Sequence, residues 1–425
     1  MPQFSEVARY GLPGFALAFA ALPLYLLTPA LYAEQLGMSL AAVGFILMLT
    51  RLTDAIADPF IGRWIDKSPQ GLWRWMAAGL VVMAVSLALL VNPPTQWLGS
   101  LGSPVIATLA WMGITALCVS LANSAAMLAH QSWAVAWVAQ TKPQARLIAG
   151  RETWSLIGVI VAAVIAAQRS GPAMAVVVLT AGVLAVALTF GLRQHGANRR
   201  SLAVHALPQW RALFESVDFK KLLAAFSVNA IANAIPATLV LFFLQDFLGA
   251  SENQSSTLLA AYFLAAAASV AIWSWASTRI GAVRVWQIAM GIALAAFIWT
   301  LTLERGDITA FTVICIITGF ALGAELVCPP ALVGQIIDRN QHRGKLESSY
   351  FGVWNLVIKL ALAAAAGLAL PALAALGFSP GQDQTQSNVT ALHWAYAGAP
   401  CALKLFAIIA LGKLRFMDEL ERKAT

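Results

Sequence analysis

Charged residues are scarce in this chain of 425 residues, where they make up 11%, while apolar residues make up 60%. Soluble domains carry about 25% charged residues and about 45–50% apolar ones. So few charges cannot cover so much apolar surface, which excludes a water-soluble globular protein. Cysteine is also scarce, since only four residues are present, without a C-x-x-C pair or a zinc-like spacing to the five histidines. Neither a disulfide framework nor a zinc site is expected.

Signatures of other protein classes are missing as well. Segments that alternate apolar and polar residues are absent, which excludes a membrane β-barrel. No Ser-His-Asp arrangement, phosphate loop or metal-ligand cluster is visible, so we do not expect an enzyme. The net charge of +8 could suggest a nucleic-acid partner, but the basic residues lie in short loops, where membrane topology places them. No cofactor and no nucleic acid are therefore expected.

What the sequence does contain is a series of apolar blocks of about 20 residues, the length that crosses the hydrocarbon core as a helix. The pattern predicts an all-α polytopic membrane protein in two halves, with six helices in 1–192, a basic cytoplasmic linker in 193–220, and six helices with a short cytoplasmic tail in 221–425. Twelve spans are predicted, at 11–33, 40–62, 73–92, 104–127, 146–168, 172–192, 221–247, 255–279, 283–303, 309–332, 348–371 and 391–413.

The distribution of Lys and Arg predicts the orientation. With both termini in the cytoplasm, 22 of the 27 basic residues fall on the cytoplasmic side, and only Arg169 and Arg305 fall on the other. This asymmetry obeys the positive-inside rule. A weak internal repeat, Gly-Arg-Trp-Ile-Asp-Lys-Ser at 62–68 and a degraded counterpart at 277–281, supports two parallel halves. Six helices plus six is the layout of the major facilitator superfamily, whose substrates bind between the halves.

Three ionisable residues lie on the second span. Arg51, Asp54 and Asp58 are spaced by three and four residues, which aligns them on one helix face. Charges inside a span are costly and mark functional sites, so this face is expected to point into the bundle. Two carboxylates one turn apart repel each other, and a captured H+ or Na+ relieves that repulsion. The alternative is a structural ion pair of Arg51 with one acid. Pro59 predicts either a local helix break beside Asp58 or an ordinary kink.

Further polar residues lie on other spans. Lys359 on the eleventh span needs an anionic partner, for which Asp54 and Asp58 are the natural candidates. Glu325 on the tenth span is expected to pair with Lys359 or to contact substrate, and Lys404 on the twelfth to be structural or to reach towards the cytoplasm. The candidate substrate-binding residues are His130, Trp133, Arg151, Trp154 and Glu325. A hydrogen-bonded structural histidine and a topology-setting arginine remain alternatives for His130 and Arg151.

Four stretches resemble the glycoside–pentoside–hexuronide:cation symporters, the melibiose-permease type of major facilitator. The second-helix stretch is the most specific, and the similarity covers both halves. The four stretches are 51–62 (Arg-Leu-Thr-Asp-Ala-Ile-Ala-Asp-Pro-Phe-Ile-Gly), 145–152, 323–330 and 350–359.

The resemblance implies roles for individual residues. Asp54 and Asp58 match the cation-binding aspartates of the family, Arg151 matches its substrate-site arginine, and Lys359 matches its lysine near the cation site. The chain departs from melibiose permeases by lacking their sugar-binding acids on the first and fourth helices, which argues against a galactoside. Ala57 stands where those permeases have an amide. Fewer ligands for Na+ favour H+, unless Asn123 or Ser124 on the fourth span replaces the missing one.

The sequence thus predicts a cation-coupled symporter of a small polar solute, either sugar-like or an organic anion, with H+ favoured over Na+ at Asp54 and Asp58. We expect a monomer in the plasma membrane, the inner membrane of a bacterium. The first rival is a lysophospholipid-type carrier, because lipid carriers of this family keep the same aspartates. A membrane enzyme or a sensor that transports nothing is the rival from another class.

Overall fold

A computed structural model describes residues 2–24, 28, 30–68, 70–138, 141–167, 171–195, 209–375 and 386–412. Within these ranges the chain is helical and contains no strand, as the all-α prediction requires. Parts of the first predicted span, of the 193–220 linker and of the C-terminal tail lie outside the described residues.

The helices of the first half follow the predicted spans in order. One short helix, α4, is added between the third and fourth spans, and a π-helical turn at Ala30–Gln35 precedes α2. The helices are α1 (Phe4–Leu22), α2 (Leu40–Lys67), α3 (Leu72–Val91), α4 (Thr95–Gly99), α5 (Pro104–Trp137), α6 (Thr141–Ala167) and α7 (Gly171–Thr189).

The second half repeats this arrangement after a short helix in the predicted linker. Two π-helical turns, Phe243–Phe247 and Trp394–Gly398, continue the helices next to them. The helices are α8 (Gln209–Glu215), α9 (Val217–Phe242), α10 (Glu252–Ile280), α11 (Ala282–Trp299), α12 (Ile308–Arg339), α13 (Glu347–Ala375), α14 (Gln386–His393) and α15 (Ala399–Gly412).

Ten helices in the described part of the chain are long and apolar enough to cross a membrane. The other two predicted spans correspond to α1, whose following residues are only partly described, and to α2, whose apolar run is interrupted by Arg51, Asp54 and Asp58. Many large apolar side chains on the helices are exposed to the surroundings, such as Leu368 at 71% and Ile106 at 67%. Lipid is the solvent that suits such a surface.

Several helices extend beyond their predicted C-terminal ends. The fourth span was predicted to end at 127, whereas α5 continues to Trp137. Hydropathy predicts only the apolar segment that lipid surrounds. A helix can continue beyond that segment where neighbouring helices cover its polar side chains. Here the extension carries His130, Gln131 and Ser132, all of which are buried.

The chain divides into two compact units. The first comprises 1–210 and 337–356, and the second comprises 211–336 and 357–425. The main division falls inside the predicted 193–220 linker. The end of α12 and the first turns of α13 belong to the first unit, although the predicted boundaries assign them to the second half. The reason is a tight set of contacts with α2, which lies at the candidate site.

Glycines bring α1 and α6 close together in the first unit. A Cβ atom on Gly11 would lie 2.6 Å from the carbonyl oxygen of Gly150, and one on Gly14 would lie 2.7 Å from that of Arg151. Only glycine lets two helix backbones approach so closely. This packing fixes the position of Arg151 in the first unit.

Candidate functional site

The acids of α2 are buried, whereas the arginine on the same helix is exposed. Asp58 is 0% exposed and Asp54 is 7% exposed, while Arg51 lies on the exposed part of the helix. The helix continues through Pro59 without a break, so the predicted local break beside Asp58 is not present. Pro59 has no N–H, and the carbonyl of Ala55 one turn earlier loses its usual helical donor.

A hydroxyl from α5 contacts the first acid. Ser124 Oγ donates a hydrogen bond to Asp54 Oδ1 at 2.6 Å, and Ser124 is 3% exposed. Ser120 lies one turn earlier on α5 and is also buried. Among the described residues, Ser120 Oγ and Asn123 Oδ1 are buried oxygens without a hydrogen-bond partner. The fourth span therefore supplies polar oxygens on or beside the face that contacts Asp54.

The start of α13 packs against α2 at Asp58 and one turn beyond it. A Cβ atom on Gly352 would lie 2.7 Å from the carbonyl oxygen of Asp58. One helical turn further along α2, Gly62 approaches the backbone of Ser348 even more closely. Both contacts are backbone to backbone, so they define the distance between the two helices at the level of the buried acid.

Asp66 caps the first turn of α13. Its carboxylate accepts hydrogen bonds from the backbone N–H groups of Ser348 at 3.0 Å and Ser349 at 2.7 Å. These N–H groups have no partner within the helix, and a negative charge is favourable at a helix N-terminus. Sequence reasoning noted Asp66 only as part of the 62–68 repeat and did not predict this contact.

We expect Gly352→Ala to destabilise the first unit, because the added methyl group would overlap the backbone of α2 beside Asp58. Overpacking of this kind costs about 1–3 kcal/mol. The matched control is Gly367→Ala on the same helix, where a Cβ atom meets nothing within 4 Å. The measurement is the thermal unfolding midpoint of both purified variants. Equal midpoints for the two would show that the close contact at Gly352 contributes nothing to stability.

The arginine on α6 is paired with its neighbour in sequence. Arg151 is 7% exposed, and its Nε donates to Glu152 Oε1 at 2.9 Å, with a second contact from Nη2 to the same oxygen. The pair places a buried, charge-compensated guanidinium beside α1. Its role in substrate binding stays a prediction.

The aromatic candidates on α5 and α6 pack against α1. His130 is 0% exposed; its Nε2 lies 2.7 Å from the carbonyl oxygen of Tyr10, and the Tyr10 hydroxyl donates to the His130 carbonyl at 2.6 Å. Trp133 is 1% exposed and donates to the carbonyl of His195 at 2.8 Å. Trp154 is half-buried, with its ring centroid 6.5 Å from that of Phe15. The contacts of His130 fit the structural alternative, and substrate contacts of all three remain predictions.

In the second unit, Glu325 pairs with Lys404. Lys404 Nζ lies 2.7 Å from Glu325 Oε1 and also donates to Asn233 Oδ1 at 2.6 Å. Glu325 Oε2 accepts from Asn229 Nδ2 at 3.0 Å and from Asn233 Nδ2. This pair replaces the predicted pairing of Glu325 with Lys359 and agrees with the structural alternative for Lys404. Contact of Glu325 with substrate stays a prediction. Lys359 is half-buried in the second unit, and its pairing with the acids of α2 stays a prediction.

This charged cluster borders a cavity of about 440 Å³ inside the second unit. The cavity wall is mostly apolar and aromatic, and it is formed by α9, α10, α11, α12, the π-helical turn at Trp394–Gly398 and α15. The aromatic and charged residues that line it include Tyr262, Phe297, Phe311, Tyr396, Glu325 and Lys404. Small-molecule sites have this size, about 300–1,000 Å³, and this character: mostly apolar, with a few well-placed polar groups.

Comparison with known proteins agrees with this architecture. A family model described as MFS/sugar transport protein matches residues 9–415. The glucuronide carrier protein homolog of Escherichia coli (strain K12) is 23% identical over 93% of this chain and 88% of its own length. The sodium-dependent lysophosphatidylcholine symporter 1 of Homo sapiens is 23% identical over 98% of this chain and 85% of its own length.

A solved structure shares the fold. A bacterial homologue of the iron transporter ferroportin, crystallised in an outward-facing state, superposes with a TM-score of 0.72 at 13% identity, covering 96% of this chain and 98% of the other. At this identity the likeness establishes the fold alone.

Membrane-spanning helices in two halves, with buried charges inside them, define a polytopic membrane transporter of the major facilitator fold. The chain belongs to the MFS/sugar transport family. The resemblance to the glycoside–pentoside–hexuronide:cation symporters is thereby confirmed.

Proposed function

We propose that this protein is a secondary active symporter that couples inward movement of H+ to uptake of a small polar solute, sugar-like or an organic anion. The coupling site is the acid pair of α2. Arg51 and Lys359 are the basic groups that compensate the charge of this pair. In this proposal the carrier is a monomer in a bacterial inner membrane with both termini in the cytoplasm. It needs no cofactor besides the coupling ion.

The observation that carries the proposal is the burial of Asp54 and Asp58 one turn apart on one helix. Acids at such depth in a membrane protein are costly unless they bind something. The spacing of four residues keeps the two carboxylates adjacent, so a cation bound at one changes the electrostatic energy of the other. That property is what a coupling site requires.

Coupling follows from the charge carried in each state. Without a cation, the two carboxylates are compensated by Arg51 and Lys359; a bound proton neutralises one carboxylate and frees a basic group to hold substrate. Arg151 and Glu325 then orient the solute. A half-loaded carrier keeps an uncompensated buried charge, which disfavours its passage between the two access states. The ligands shift this equilibrium only through such differences between states.

Proton coupling is favoured over sodium coupling by the ligand set. Sodium needs several oxygen ligands, and Ala57 offers none where melibiose permeases have an amide. Ser124 does bring an oxygen to Asp54, as the alternative assignment required. A proton needs only a carboxylate, and a serine that donates its hydrogen to that carboxylate is suited to an acid that cycles between charged and neutral forms. Replacing Ser124 should therefore affect a sodium carrier and a proton carrier differently.

Uptake into proteoliposomes should be driven by an imposed pH gradient in sodium-free buffer. We expect Ser124→Ala to keep this uptake, because a proton needs only the carboxylate of Asp54 and not the serine oxygen beside it. For a sodium carrier, the same variant would lose a ligand and need about tenfold more Na+. Uptake that requires Na+ and ignores the pH gradient would refute proton coupling.

A lysophospholipid is the second candidate solute. It is favoured by the similarity to the human lysophosphatidylcholine symporter, which extends over 98% of this chain, and by the apolar cavity of the second unit. Counterflow in the same vesicles separates the candidates. The vesicles are loaded with an excess of unlabelled glucuronide, short-chain organic acid or lysophosphatidylcholine, and the labelled form of the same solute is added outside. Only the transported class should show counterflow against an excess of its unlabelled form.

A further inference from the structure

We infer that the cavity of the second unit binds an apolar monocarboxylate together with one proton, with the carboxylate held by Lys404. The inference deepens the organic-anion alternative of the proposed function by naming a class of anion. It rests on the proposed function only for the link between binding and transport. Binding to the purified protein tests it separately.

The cavity wall fits an apolar body. Tyr262, Phe297, Phe311 and Tyr396 come from four different elements, and Leu259, Ile314 and Leu322 are among the aliphatic residues between them. The Tyr396 ring is stacked on Phe243, with centroids 4.1 Å apart and planes within 7°. A rigid aromatic wall of this kind selects an alkyl or aryl group and gives a sugar hydroxyl few partners.

Lys404 is the anchor for the anionic end. An ammonium group has three N–H donors, and Lys404 uses two of them, for Glu325 Oε1 and Asn233 Oδ1. The third donor has no protein partner in the described part of the second unit. Lys404 itself lines the cavity, and its side chain is 11% exposed. A buried donor at the polar end of an apolar cavity is suited to a carboxylate.

Charge balance requires that a proton binds together with the carboxylate. Glu325 and Lys404 compensate each other, so a carboxylate that joins them would leave one buried negative charge without a partner. Uncompensated buried charge is strongly unfavourable, and a proton taken from solvent and shared by the two carboxylates restores neutrality. Glu325 Oε2 already accepts two amide donors, so both oxygens of this acid are engaged before the ligand arrives.

In the described part of the second unit, few other titratable groups face this cluster. Tyr262 on α10, Cys315 on α12, Tyr396 on the π-helical turn and Cys401 on α15 line the same cavity. From α9 the facing groups are the amides of Asn229 and Asn233, and from α11 they are apolar residues such as Phe297. Phenols and thiols are neutral near pH 7, so the proton balance is assigned to Glu325 and the ligand.

The test is isothermal titration of the protein in lipid nanodiscs with octanoate, in two buffers of different ionisation enthalpy, with protein-free nanodiscs subtracted. We expect one proton to be taken up for each octanoate bound. Affinity should rise about fourfold with each added CH₂ from butanoate to octanoate, the equivalent of about 0.8 kcal/mol. Octanoate binding without proton uptake, or no binding at all, would overturn the inference.

Variants test the roles of the two charged residues, Glu325 and Lys404. Glu325→Gln should bind octanoate without taking up a proton, whereas the exposed control Glu304→Gln should behave like wild type. The double variant Glu325→Gln with Lys404→Met keeps the cavity but removes both charges; it should bind octanol and lose octanoate at least tenfold. Equal octanoate affinity in the double variant and wild type would show that Lys404 does not hold the carboxylate.

The outcomes also separate this inference from the proposed function. Proton-linked octanoate binding with solute uptake that ignores the pH gradient would leave the cavity assignment standing and reject proton-coupled transport. Solute transport driven by the pH gradient, with no proton taken up on octanoate binding, would support proton-coupled transport and reject the cavity assignment.

Discussion

Asp58→Asn is expected to abolish accumulation of solute against its gradient, and Asp54→Asn is expected to do the same. Each variant keeps the size of the side chain but removes a carboxylate that is at most 7% exposed. The asparagine amide cannot exchange a proton, so the carrier loses the step that links the cation to the solute. The measurement is the steady-state ratio of internal to external solute in energised vesicles, which should fall to about one, the value without coupling.

Downhill exchange distinguishes lost coupling from lost folding. Counterflow of labelled solute needs the alternating motion but no cation gradient, so it should persist in at least one of the two variants. The matched control is Asp307→Asn, an exposed acid in the loop before α12, which should accumulate solute like wild type. If either variant on α2 still concentrates solute to the wild-type ratio, the coupling assignment is wrong.

The helices of this protein were predictable because a membrane imposes a strong rule on sequence. Each span needs an apolar block of sufficient length, and the blocks give the order of the long helices. The positions of Asp54 and Asp58 followed from the same regularity, since a spacing of four residues fixes two side chains on one helix face. Their burial was then expected, because lipid cannot solvate a carboxylate.

The partners of buried charges were not predictable in the same way. Glu325 and Lys404 lie on helices far apart in the chain, and neither spacing nor hydropathy encodes which helices touch. The sequence does contain one signal: Asn229 and Asn233 place two amides one turn apart in the mainly apolar middle of α9. Polar groups at that spacing indicate a helix face that meets another polar group. The capping of α13 by Asp66 depends in the same way on the packing of α2 against α13, which the sequence does not reveal.

Lys404→Met alone is expected to destabilise the protein strongly, because it leaves Glu325 buried without its cation. Breaking a buried pair in this way costs about 3–5 kcal/mol, a fall in the thermal midpoint on the order of 10 °C. The exposed control Lys221→Met removes the same charge from the start of α9 and should leave the midpoint nearly unchanged. Both are measured on purified protein without added ligand.

Adding Glu325→Gln to Lys404→Met should recover most of the lost stability, because the pair is then replaced by neutral groups. The amide oxygen of Gln can still accept from Asn229 and Asn233, whose present donors reach Glu325 Oε2. A double-mutant cycle with Glu325→Gln alone measures the coupling between the two residues. Strictly additive losses would mean that the 2.7 Å contact between Lys404 and Glu325 does not stabilise the second unit.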